Sequence, residues 1–154
     1  MKRLSGLGLT SLSSLVAVFL LVASCSVPAS AQNRVSDKDV AIMMDNLHSD
    51  AGRFQSAFDD SIKKSTIRHT SQEKEARELV ERFQKSAEGM YNHFKDTKKA
   101  DVDLPNVLTT AREVDTLLRG VSLNERTNAM WAKVVTELNQ IADAFNVPGL
   151  GQPR

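Results

Sequence analysis

Apolar residues recur at intervals of three and four along four stretches of the chain, and no stretch alternates with period two long enough to make a strand. The first stripe is Val40, Met44, Leu47, Ala51, Phe54, Phe58 and Ile62. Ser36 precedes it as a candidate N-cap. Asp37 and Asp39 supply carboxylates to a first turn whose N–H groups lack partners. The spacing predicts a helix over 37–66. The second stripe, Ala76, Val80, Phe83, Ala87, Met90 and Phe94, follows Thr70 and its capping-box partner Glu73, and predicts a helix over 71–97. Glu81 and Lys85 add a favourable pair one turn apart on its outer flank.

The third stripe, Leu104, Leu108, Ala111, Val114 and Leu118, predicts a helix over 104–119. Pro105 is tolerated in its first turn, and Gly120 is expected as a left-handed C-cap. The fourth, from Met130 or Trp131 through Val134, Leu138, Ile141 and Phe145, predicts a helix over 123–145. Ser122 with Glu125 is expected to open it, and Asn146 followed by Pro148-Gly149 to close it.

Four capped amphipathic helices with short connections predict an all-α domain over 37–147, an antiparallel up-down-up-down four-helix bundle. Residues 32–36 form a short N-terminal segment, and 148–154 a flexible tail. Met43, Leu79, Val107, Leu117 and Val135 widen the stripes beyond a two-stranded seam, which favours one shared core over an extended coiled coil. Trp131 is expected at a core edge. Ile42, Ile67, Val102, Val121 and Val147 fall outside the stripes, most of them at connections. Ile42 does not, and with Val35 and Met43 it forms a small apolar strip. The expectation is a monomer, or a weak dimer through the N-terminal half of the first helix.

The start of the chain has a different pattern. Lys2 and Arg3 precede an uncharged stretch from Leu7 to Val22. Its most apolar part, Leu15 to Ala23, is far shorter than the roughly 20 residues a membrane span needs. Pro28 and the small residues Ala29-Ser30-Ala31 then precede Gln32. This is the layout of a cleaved secretory signal over 1–31, with the cut between Ala31 and Gln32. It predicts an exported protein, periplasmic or secreted, with no transmembrane segment after processing. A second cut competes: Val22-Ala23-Ser24-Cys25 resembles the lipobox of bacterial lipoproteins. That resemblance implies a lipid on Cys25, an outer-membrane anchor, and residues 26–35 as a tether.

Cys25 is the only cysteine, so the mature chain has no disulfide, thiol nucleophile or cysteine-based metal site. The chain carries 20 basic and 19 acidic residues, and loss of Lys2 and Arg3 leaves it close to neutral. Such a balance gives no electrostatic reason to expect nucleic-acid binding. Glycine-rich phosphate loops, the G-x-S-x-G elbow and the H-E-x-x-H zinc helix are all missing from the sequence. A ferritin-like site needs E-x-x-H motifs, and the nearest approach is Asp45-x-x-His48. Leu108-Thr109-Thr110-Ala111-Arg112 departs at its last position from the L-T-x-x-Q motif of periplasmic stress chaperones.

Trp131-x-x-Val134-x-x-Glu137-Leu138-x-x-Ile141-Ala142-x-x-Phe145-x-Val147 resembles the ending of small exported bacterial helical proteins without an assigned activity. The resemblance implies an exported four-helix architecture and carries no catalytic residue or cofactor with it. The leading expectation is therefore a non-enzymatic helical module acting on an unknown partner through protein–protein or envelope interactions.

The alternative is a metal- or small-ligand-binding bundle. Pairing the first two helices as a hairpin brings Met44, His48, Met90 and His93 to one end, beside Met43. Methionine and imidazole are plausible soft ligands for copper where thiols are oxidised. The plainer reading makes the methionines core filler and leaves the histidines at the stripe edges. Gly52 and Gly89 either make room for a ligand or helix crossing or are tolerated on an open face. Lys63, Lys64, Arg68 and His69, with Arg119 and Arg126, either dock an anionic partner or are a solvated, dipole-complementing face.

Overall fold

The computed structural model describes residues 35–151. The expected signal, the cut between Ala31 and Gln32 and the lipidation candidate Cys25 lie outside the described residues. Among the described residues all regular structure is helical: α1 is Asp37–Ile62, α2 Ser71–Thr97, α3 Asp103–Gly120 and α4 Glu125–Ala144.

Each helix start and end follows from local hydrogen bonding. Ser36 Oγ accepts from Asp39 N at 3.2 Å at the start of α1. Thr70 Oγ1 accepts from Glu73 N at 3.4 Å at the start of α2, and Glu73 Oε2 accepts in return from His69 N at 2.7 Å. α1 stops at Ile62, short of the 66 expected. Lys64 N and Ser65 N bond carbonyls three residues back, and Ser65 Oγ takes the Ile62 carbonyl at 2.8 Å. A hydroxyl that competes for the last carbonyls ends the helix there.

The expected caps of α3 and α4 are corrected too. Gly120 is the last helical residue of α3 and not a left-handed cap; the chain leaves through an extended Val121 (φ −123°, ψ 125°), whose side chain is buried. Asn124, not Ser122, caps α4. Its Oδ1 accepts from Thr127 N at 2.8 Å, while its own N–H donates to Ser61 Oγ at 2.9 Å. That second bond fixes the α4 cap on the end of α1, a long-range contact that local spacing does not encode.

The four predicted stripes make up most of the core, with Leu118, Met130 and Phe145 only partly buried at its edge. α1 packs against α2 and α4, α2 packs against α3, and α3 and α4 meet only sparsely. Phe54, Phe58, Phe83 and Phe94 are almost fully enclosed, and each such side chain contributes about 1.5–3 kcal/mol through removal from water. Trp131 is buried as expected, with ring centroids 4.9 Å from Phe54 and 5.4 Å from Phe83. Its Nε1 donates to Asp115 Oδ1 at 3.2 Å. Ile67, Val121 and Val147 cover the core ends. Val102 does not; it is 68% exposed, and Ile42 is 51% exposed.

The segment after α4 turns back on the fold. Asn146 takes a left-handed conformation (φ 54°), Val147 N donates to Ala142 O at 2.9 Å, and Asn146 N to Asp143 O at 3.1 Å, closing a Schellman end. Residues 149–151, expected to be frayed, are tied down. Arg112 on α3 donates to Gly149 O at 3.2 Å. Asn139 on α4 accepts from Leu150 N at 2.7 Å and donates to Gly151 O at 2.5 Å. Val147 and Leu150 lie against the core. A β-carbon on Gly149 would run into the Asn139 carboxamide, so this close approach requires glycine.

Candidate functional site

The four sequence-derived ligand candidates each have a local environment. Met44 and Met90 are enclosed in the core at 0% and 1% exposure. The His48 ring stacks on Tyr91, with centroids 5.4 Å apart and planes 13° apart. His93 Nδ1 lies 2.5 Å from Asp103 Oδ2 in the first turn of α3. Met43 lies half-buried beside the core. No group of three His, Cys, Asp or Glu residues among the described residues is placed to hold a metal ion. A β-carbon on Gly52 or Gly89 would meet nothing within 4 Å, so both glycines face open space. In the basic group, Lys63 pairs with Asp60 at 3.0 Å and Arg119 with Asp115 at 2.5 Å.

The charged cluster that the structure does assemble lies between α1 and α4. Asp50 is 6% exposed and Glu137 9%. Asp50 Oδ1 accepts from Arg53 at 3.0 Å, and Asp50 Oδ2 lies 2.5 Å from Lys133 Nζ. Lys133 Nζ also lies 3.8 Å from Glu137 Oε1. Glu137 Oε2 is buried without a hydrogen-bond partner. Burial, then the neighbouring Asp50 carboxyl, pushes Glu137 up to about 7. Burial also acts to raise Asp50, but hydrogen bonds from Lys133, Glu137 and Arg53 and the charge of Lys133 outweigh it and hold Asp50 below its ordinary value. The bond to Asp50 raises Lys133 in turn.

Periodicity alone overlooked this cluster because stripe-reading counts only apolar residues. The signal was nonetheless there. Asp50 is three residues after Leu47 and four before Phe54, and Glu137 is three after Val134 and four before Ile141. Both acids occupy core-facing helical spacing.

Two grooves flank the core. One, of about 400 Å³, lies between the start of α2 and the end of α3. Its lining is mixed: Ile67, Ala76, Leu79, Leu117 and Val121 with Gln72, Glu75 and Thr116. The other, of about 350 Å³, lies between α1 and the start of α4, with the charged and polar Arg53, Ser56, Asp60, Asn124 and Arg126 beside Ala57 and Met130. No helix among the described residues is long and apolar enough to cross a membrane. No protein-family model, curated protein or solved structure matches the chain.

Proposed function

We propose that the protein is an exported, non-enzymatic helical module that acts on a partner protein of the cell envelope through its surface. The observation that carries this reading is the groove between α2 and α3, which offers a partner the half-buried Ile67, Leu79 and Leu117 beside polar side chains. A mixed lining of this kind suits an apolar helix or loop of another protein.

The scaffold is an antiparallel up-down-up-down bundle. In support, Ser61 near the end of α1 bonds Asn124 at the start of α4, and Asp59 pairs with Arg77 while His48 stacks on Tyr91. Arg82 pairs with Glu113 and His93 with Asp103 in the same reversed order. The resemblance of the α4 segment to small exported helical proteins favours export, with a mature chain beginning at Gln32 and, as the alternative, an anchor at Cys25.

Leu79→Glu with Leu117→Glu tests the groove. A photo-crosslinker at Thr116 should give a discrete adduct in cells with the otherwise wild-type chain and none with the double variant, while circular dichroism stays helical. An unchanged adduct in the double variant would overturn the groove assignment. Elemental analysis of the purified protein tests the metal alternative. Stoichiometric metal that is lost in His48→Ala with His93→Ala would replace the surface reading with a Met44, His48, Met90, His93 site. Intact mass of the processed chain separates a start at Gln32 from lipid on Cys25.

A further inference from the structure

Buried carboxylates normally come with enough donors to satisfy them. Two carboxylates from different helices meet here with an incomplete set. Both Asp50 oxygens are taken, Oδ1 by Arg53 and Oδ2 by Lys133. Lys133 reaches Glu137 only at 3.8 Å, and Glu137 Oε2 is left inside the protein with nothing to accept from. An ionised Glu137 would therefore place a second negative charge beside Asp50 in a poorly hydrated seam. A proton on Glu137 removes that charge and converts the orphaned oxygen into a donor toward Asp50. We propose that Asp50 and Glu137 are a proton-operated clasp between α1 and α4, closed when the pair shares one proton and loosened when both carboxyls are ionised.

The charged groups that face Glu137 are Asp50 and Arg53 from α1 and Lys133 from its own helix. Burial and Asp50 raise its affinity for the proton, and together they outweigh the opposing charges of Lys133 and Arg53. The direction of the pH effect follows. Glu137 holds its proton more tightly in the folded chain than in the unfolded one, from an ordinary 4.5 to about 7. Its contribution is complete below the ordinary glutamate range, declines as pH rises toward 7, and is gone above that. Asp50 works oppositely, because its lowered value makes its contribution fail only in acid. The clasp thus responds between mildly acidic and neutral pH, with Asp50 ionised throughout.

The test uses the full chain. Carbon-13 NMR of the side-chain carboxyls should show Glu137 titrating near neutrality. Denaturant unfolding should show the folding constant dropping by about tenfold or more between pH 5 and pH 8, since a tenfold tighter hold on the proton in the folded chain is a tenfold larger folding constant. Glu137→Gln keeps a neutral donor and should abolish most of that drop. Titration of Glu137 in the ordinary carboxylate range, or an undiminished drop in Glu137→Gln, would overturn the proposal. Should Glu137→Gln fail to fold, Asp50→Asn answers instead: it removes the facing charge and should move the Glu137 titration downward, and an unmoved titration would equally overturn the clasp.

Discussion

α4 has two flanks, and the chain holds them by different means. Against α1, Trp131 packs on Phe54, Thr127 Oγ1 donates to the Ala57 carbonyl at 3.1 Å, and the Asp50–Lys133–Glu137 cluster ties the middle. Against α3, direct contact is sparse, and residues 147–151 bridge the two helices through Arg112 and Asn139. The first seam rests on interdigitated side chains, whose loss leaves a cavity. The second has few direct contacts and is bridged by hydrogen bonds and two apolar contacts from a strap, and the strap can release while the shared core stays closed. Stability distributed this unevenly implies that the strap releases well before the α1–α4 seam opens.

The largest expected effect comes from attacking the packed seam. Phe54→Ala removes a fully enclosed ring beside Trp131 and should cost about 3–5 kcal/mol, read as a lower denaturant midpoint. A strap variant should do less. Gly149→Ala forces a β-carbon into Asn139 and should displace the tail at a cost of about 1–3 kcal/mol. Amide hydrogen exchange at Leu150 should then accelerate while the α1 core amides keep their protection. Asn139→Ala removes the two strap bonds made by Asn139 without overlap, leaves the one from Arg112, and should cost about 1–2 kcal/mol with the same local exchange signature. If either strap variant lowered stability as much as Phe54→Ala, the two flanks would be equally essential and the contrast would fail. The smallest effect belongs to Ile42→Glu. Ile42 is half exposed, so stability should shift by no more than about 0.5 kcal/mol. Any weak self-association through the N-terminal half of α1 should disappear in light scattering, and a dimer unaffected by it would place the contact elsewhere.

The four stripes were legible because burial here follows apolar spacing almost residue by residue. α2 begins and ends where its capping box and periodicity place it. The early end of α1 is a local competition by Ser65 for the Ile62 carbonyl, whereas the α4 cap and the strap depend on contacts made at a distance along the chain. Asn124 became the α4 cap because Ser61, sixty-three residues earlier, receives its N–H. The strap reads as a loose proline–glycine ending because nothing local reveals Arg112 and Asn139 waiting for its backbone. The Asp50–Glu137 meeting was hidden differently. Each acid sits at core spacing on its own helix, but only the α1–α4 register brings the two together. The histidines at the first hairpin illustrate the converse: proximity in a register did not foretell the Tyr91 stack or the Asp103 partner that each one takes.

Trp131 gives the molecule a built-in optical reporter. It is the only tryptophan, it sits on α4, and it touches Phe54 on α1, Phe83 on α2 and Asp115 on α3. Its emission therefore samples a place where all four helices meet. Separation of any of them admits water to the indole and shifts the band to the red. The strap ends on Asn139 and Arg112 and makes no bond to the indole, so its release should be dark in fluorescence and visible only to exchange. A single spectrum thus distinguishes an opened edge from a melted centre without any label.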